Sequence, residues 1–429
     1  MINMLNRRVQ PAIVDATDFN LHLKPYEYFT LDNGIPVYAL RAPEQEVAFV
    51  EWVFFAGNAY EQSNMTAASV NYLLKNGTRS KTAFNINEHF EFYGAYLNRS
   101  CYNESASIKL HCLSKHLPEL FPVVNELLTE SIFPEEELAI YKQNQKQSLE
   151  VSLKKCDFVA NRLIDEYLYG FSHPYGKYAS TVDYDKLERN SLVRFYEDYY
   201  INGKCMLFIA GNLPDDIESQ LNKNFGSLLC NKTSDELINY NNNPEKEKKH
   251  FIINDENGVQ GAVRIARNFF NRHHPDFIKV QVLNNIFGGY FGSRLMSNIR
   301  EDKGYTYGIH SYLQNHIHES AWMISTEAGR DVCEATIEEV FKEMQRLRDE
   351  PVGEAELHLV RNYMIGSILG DLDGPFQTIA RWKTYILNNL TEKYFNNSIK
   401  TIKDITSKEL QELAVKYLEP ETFYRLTVI

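Results

Sequence analysis

Arg300 and Tyr307 lie seven positions apart in residues 287–307, which read FGGYFGSRLMSNIREDKGYTY. Arg294, Leu295, Ile299 and Arg300 recur at helical spacing, Lys303-Gly304 is a helix stop, and Tyr305-Thr306-Tyr307 begins a β-prone run. The pair therefore flanks a predicted helix-to-strand corner, from which a guanidinium and a phenol can enter one groove. Arg supplies a rigid fork of donors and Tyr one O–H donor, a combination suited to gripping a peptide carbonyl or stabilising an oxyanion. The same residue types also suit a surface Arg and a half-buried strand Tyr.

Other ligating side chains are sparse. His111 and His116 are five apart, off a common helix face; His273-His274 falls in a polar turn, and His316 and His318 fall in a loop between strands. Alternating spacing could place His316 and His318 together, but no carboxylate motif follows them at ligand spacing, and isolated His residues are usually satisfied structural groups. Cys101, Cys112, Cys156, Cys205, Cys230 and Cys333 are scattered singly, with no C-x-x-C pair for a zinc knuckle or a redox motif. Glu135-Glu136-Glu137 reads as a helix N-terminus favoured by the macrodipole. Gly288-Gly289 lacks the strand–loop–helix setting of a nucleotide fingerprint and reads as a tight bend.

At 429 residues the chain exceeds one core, so two to three domains are expected. Apolar residues at 44% and charged residues at 24% are those of an ordinary soluble protein. A net charge of −12 argues against nucleic acid or an anionic membrane as the main partner. Sparse single cysteines fit a reducing, cytoplasmic setting. The N-terminal twenty residues lack an apolar core and do not read as a secretory signal, and no apolar run is long enough to span a membrane.

The elements that must position Arg300 and Tyr307 follow a mixed α+β order. Residues 28–40 read as strand, Asn-Gly turn, strand, and 46–57 as a buried strand. Helices are expected over 64–75 and 86–92, two strands over 96–112 around Asn103-Glu104, then helices over 117–129, 135–154, 157–169 and 187–200, and a strand over 205–211. Residues 231–249, polar and rich in Asn and Lys, read as a linker. They sit near mid-chain, and motifs recur across them. Glu104-Ser105-Ala106 returns as Glu319-Ser320-Ala321 at an offset of 215, and a helix-ending glycine, Gly94, returns as Gly304 at 210. Agreement of offsets near half the length indicates a duplicated domain, 1–230 and 250–429.

This duplication, the LDNG strand, the NYLLKNGT helix end and the GSRL…IREDKGYTYGI stretch together resemble the M16 (insulinase/pitrilysin-like) metallopeptidases, in the style of the processing-peptidase subfamily. The resemblance runs over nearly the whole chain. It implies two homologous α/β-roll domains, mostly antiparallel sheet with helices on one side, enclosing a peptide chamber.

The family's chemistry rests on an inverted zinc motif, H-x-x-E-H, on a helix shortly before a Gly-Thr. Two His one turn apart hold Zn²⁺, and the Glu takes a proton from the metal-bound water. Anchored on Gly77-Thr78, the matching residues here are Ala68-Ser69-Val70-Asn71-Tyr72. Both His are missing and the Glu is Asn71; Ala has no donor atom and Asn is no general base. Glu150, 78 residues after Tyr72, falls near the family's third ligand, but one carboxylate cannot hold catalytic zinc.

Active members also carry an Arg and a Tyr seven positions apart that contact substrate and help stabilise the tetrahedral intermediate, and Arg300 and Tyr307 match that spacing. The resemblance therefore implies the non-catalytic, substrate-binding subunit of a heterodimeric zinc peptidase, binding no cofactor itself, with Zn²⁺ on an H-x-x-E-H partner and peptide as substrate. A structural or assembly subunit, a peptide-binding module without peptidase activity, and a homodimer of this chain alone are the other readings it leaves open.

Overall fold

The computed structural model describes residues 14–230 and 242–429. The first thirteen residues and 231–241 of the expected linker lie outside the described residues. The first half contains β1 (Glu27–Thr30), β2 (Pro36–Arg41), β3 (Val47–Phe54), α1 (Thr66–Leu73), α2 (Ala83–Phe92), β4 (Tyr96–Cys101) and β5 (Ala106–Leu113). Then come α3 (Leu117–Glu130), α4 (Glu135–Ser152), α5 (Cys156–Tyr169), α6 (Thr181–Lys186), α7 (Arg189–Tyr196), β6 (Cys205–Gly211) and α8 (Ile217–Phe225). The second half contains β7 (Lys249–Ile252), β8 (Gln260–Phe269), α9 (Phe277–Asn284), β9 (Thr306–Asn315), β10 (Ser320–Gly329) and α10 (Cys333–Asp349). It closes with α11 (Glu354–Asp371), α12 (Pro375–Leu387), α13 (Glu392–Asp404), α14 (Ser407–Tyr417) and β11 (Tyr424–Val428). No described helix is long and apolar enough to cross a membrane.

The two sheets share one topology. The first runs β1-β2-β6-β3-β5-β4 and the second β7-β11-β8-β10-β9. In each, the last strand pairs parallel with an early strand (β2–β6, β7–β11) and antiparallel with the next (β6–β3, β11–β8). The repeated motif marks equivalent places: Ser105 directly precedes β5, and Ser320 opens β10. Gly94 and Gly304 have φ of +59° and +65°, so each supplies the left-handed step that ends a helix and starts an edge strand.

Alternation along β3 explains its unbroken burial. Val50, Trp52 and Phe54 face a core built with α1, α3 and α8, while Phe49 and Val53 face the other way, toward Ile379 and Trp382 of α12. The second sheet is treated reciprocally. Small residues Ala262, Ala266 and Ala321 admit Ala160, Ile164 and Leu168 of α5 at four-residue spacing. Each sheet thus has its own helices on one face and a helix of the opposite half on the other, so the expectation of helices on one side holds only for each half's own helices. The described end of the linker is tied down as well, since the amides of Asn243 and Glu245 donate to the carbonyls of Tyr169 and Tyr167 at 3.1 and 2.9 Å. Strand β7 begins at Lys249, inside the expected linker.

Candidate functional site

Helix α1 starts under an unusual cap. The Glu61 carboxylate accepts the amides of Met65 (3.2 Å) and Ala67 (2.8 Å), and Lys177 stands 2.7 Å from it. Burial pushes the Glu61 carboxyl up, and the Lys177 charge opposes that shift. The cap fixes the helix that carries Ala68, Asn71 and Tyr72.

Ala68 and Asn71 offer a metal no free donor, and the ring of Tyr72 is held by its neighbours. Ala68 has no donor and contributes only wall to a cavity of about 660 Å³ between the halves, with Glu61 and Cys101 on one side and His316 and Lys383 on the other. Asn71 is 3% exposed, and its amide donates to the Ser107 carbonyl (3.3 Å) and to the Tyr200 hydroxyl (3.1 Å). Tyr72 packs its ring 4.8 Å from Tyr141 and under the Arg99 guanidinium, which also donates to the Tyr72 carbonyl. Burial lowers the Arg99 pKa to about 10.

Tyr141 is also the α4 residue that meets α1, its hydroxyl lying 3.2 Å from Ser69 Oγ. Glu150 is exposed and stands nine positions further along α4, about half a turn out of phase with Tyr141, so it points away from α1. Counting residues placed Glu150 near the motif, but the helical phase removes it. Among the described residues, no three His, Cys, Asp or Glu are placed to hold a metal ion. The side chains on α1 do not fit zinc.

Arg300 and Tyr307, by contrast, are brought together. Arg300 sits in a π-helical turn, Met296–Asp302, anchored by Asn298, whose amide donates to Glu339 (3.1 Å) and Glu343 (2.8 Å) of α10. Arg294 pairs in bidentate fashion with Glu356, both contacts at 2.9 Å. π-Turns of this kind recur at functional sites. Strand β9 then carries a bulge: Ile309 pairs with Thr326 and Thr306 with Ala328, so Tyr307 and Gly308 together oppose Glu327. The Thr306 hydroxyl holds it by donating to the Glu327 carbonyl (2.6 Å) while accepting the Gly308 amide (3.1 Å). The bulge turns Tyr307 outward to 91% exposure. The Arg300 guanidinium lies 5.2 Å from the Tyr307 ring and 4.6 Å from that of Phe291, itself 62% exposed. Neither Arg300 nor Tyr307 lines the cavity that Ala68 lines.

The isolated His residues take packing roles. His111 lies against Phe49 and against Phe376 of α12, His116 against Tyr93, and His274 stacks on Phe270. His316 stacks on Tyr175 with centroids 3.9 Å apart, and burial lowers its pKa to about 4. His318 is exposed. Glu104, from the repeated motif, seals this seam by accepting the Tyr175 hydroxyl and the Ile317 amide. Sequence reasoning missed the Glu61–Lys177 pair and this seam because those partners lie far apart along the chain; the local Glu61 cap over Met65 and Ala67 went unread as well.

Residues 186–364 match a family model described as the peptidase M16 inactive domain. The uncharacterized zinc protease YmxG of Bacillus subtilis is 23% identical over 357 residues, spanning 82% of this chain and 86% of that protein. The β subunit of the human mitochondrial-processing peptidase is 22% identical over 378 residues, 84% of this chain and 75% of its own. The crystal structure of a peptidase M16 inactive domain from Pseudomonas fluorescens matches with a TM-score of 0.80 at 20% identity, covering 94% of this chain and 98% of that one.

Proposed function

We propose that this chain, which carries an M16 peptidase inactive domain over residues 186–364, is the substrate-binding, non-catalytic subunit of a heterodimeric zinc peptidase. Its relatives are M16-type zinc proteases and processing-peptidase β subunits. The family match leaves α1 outside, so the absence of catalysis is argued from the α1 side chains themselves. In this reading residues 1–230 form the half with the degenerate motif and 250–429 the half that presents Arg300 and Tyr307.

The observation that carries the reading is the outward display of Arg300 and Tyr307 in a chain whose α1 is filled and donor-poor. A phenol that is 91% exposed on a purpose-built bulge has its hydroxyl free for a group outside this chain. On a partner's zinc site, the Arg300 fork and the Tyr307 O–H would donate to the carbonyl oxygen of the scissile peptide. These contacts strengthen as that oxygen becomes an oxyanion. The metal's chemistry, polarising the carbonyl and activating water, belongs to the partner. Six free cysteines suit a reducing, cytoplasmic location.

Affinity capture of the tagged chain from its native cell, followed by identification of co-purifying proteins, tests the pairing. A near-stoichiometric partner of similar length with an intact H-x-x-E-H is the expected result. Recovery of the chain as a homodimer, or alone with full peptidase activity, contradicts it.

A further inference from the structure

A second cavity, also about 660 Å³, lies within the second half between α9, β9 and α11 to α13. Arg272, Asn315 and Thr384 line both it and the cavity between the halves, so the two adjoin. Arg272, just past β8, thus stands at their junction.

The other lining cations are neutralised in place. Lys177 pairs with Glu61 at 2.7 Å, Lys383 with Glu51 at 2.8 Å and Arg381 with Asp371 at 2.7 Å. Among the described residues, Arg272 has no carboxylate at ion-pair distance. Its guanidinium carbon is 5.9 Å from the Phe277 ring. Burial pushes the neighbouring Tyr394 phenol up to about 12, and Arg272 opposes that shift by its charge and by hydrogen bonding to the phenol. A further polar atom on the wall of the second cavity, Arg381 Nε, is buried with no hydrogen-bond partner, and the buried Tyr394 hydroxyl has only Arg272 beside it. A partly enclosed guanidinium without its counter-charge is costly, and its planar fork matches a carboxylate.

We propose that Arg272 is a carboxylate-receiving group, and that the joined cavities take a peptide anchored there through its C-terminal carboxylate or an acidic side chain. The inference rests on the peptide-binding reading above and specifies its substrate class. The open fork of Arg272 forms the charge-assisted bonds, and the Tyr394 hydroxyl and Arg381 Nε offer further hydrogen bonds to the anchored end.

The test is fluorescence anisotropy on the full chain with a labelled short Ala/Ser/Gly peptide in three forms: free acid, C-terminal amide, and amide with one internal Glu. The free acid is expected to bind at least about tenfold more tightly than the amide, with internal Glu restoring the difference if side-chain carboxylates are also taken. Arg272→Gln is expected to bind acid and amide equally, and Arg272→Lys, which keeps charge but loses the fork, to fall between. Thermal melts check that the variants fold, and the acid-against-amide comparison on the unmutated chain decides should they not. Equal binding of acid and amide to the unmutated chain overturns the role of Arg272 while leaving peptide binding standing. No binding of any form, with or without the captured partner, overturns the peptide-binding reading and this inference with it.

Discussion

Lys383 of α12 places its ammonium 2.9 and 2.8 Å from the two carboxylate oxygens of Glu51 on β3, joining the halves at the wall of their shared cavity. The Glu51 side chain is 3% exposed, and its other cation, Lys109 on β5, is further away at 3.7 Å. With α5 and α12 exchanged across the sheets, this pair makes the two halves one packed body.

Removing Lys383 leaves the buried Glu51 carboxylate only the more distant Lys109 as counter-charge. Lys383→Met is expected to cost about 3 kcal/mol in urea unfolding, and the double variant with Glu51→Gln to recover most of that loss. A double variant as unstable as the single one would show that Lys383 acts through packing alone.

Restoring the zinc motif by residue type alone should fail. The triple variant Ala68→His, Asn71→Glu, Tyr72→His places donors on α1, but Glu150 points away and Tyr141 occupies the α4 face opposite. Elemental analysis after dialysis is expected to find well below one zinc per chain. One tightly held zinc per chain would refute this account of α1.

Asp165 on α5, with one carboxylate oxygen buried and unpartnered, gives stability a pH dependence. Burial pushes its pKa from an ordinary 3.8 to about 7, opposed by the Gln314 side chain. The folded state therefore holds a proton that the unfolded chain has released. The stability this brings is fully present below pH 3.8 and is lost as pH rises to about 7. Asp165→Asn stays neutral, so its stability advantage over the unmutated chain should grow from pH 4 to 7 and then level off. His316 runs the other way: depressed from 6.5 to about 4, it favours the fold above 6.5 and less as pH falls. A pH-independent difference between Asp165→Asn and the unmutated chain would contradict the assignment.

Much of the fold was legible because repeats carry register. Glu104-Ser105-Ala106 and Glu319-Ser320-Ala321 mark equivalent strand starts, and Gly94 and Gly304 equivalent helix ends. At six residues α6 is too short to show a period, whereas α8 carries Ile217, Leu221 and Phe225 at four-residue spacing and was readable but not read. The exchange of α5 and α12 was also hidden, since an apolar stripe such as Ala160, Ile164 and Leu168 announces burial without naming the sheet that provides it. At the site, the seven-residue spacing of Arg300 and Tyr307 was visible but the bulge that turns Tyr307 outward was not, because it depends on pairing with β10. Glu150 shows the converse failure: a count along the chain carries no information on helical phase relative to a neighbouring helix.

The most direct measurement is peptide cleavage by the chain reconstituted with its captured zinc-bearing partner, comparing the unmutated chain with Arg300→Ala and tracking assembly by size-exclusion chromatography. The account predicts intact assembly, little change in KM, and a kcat reduced about 10²- to 10³-fold, as for loss of one oxyanion donor. An unchanged kcat in an intact pair would contradict it and leave Arg300 and Tyr307 as surface residues with no part in the reaction.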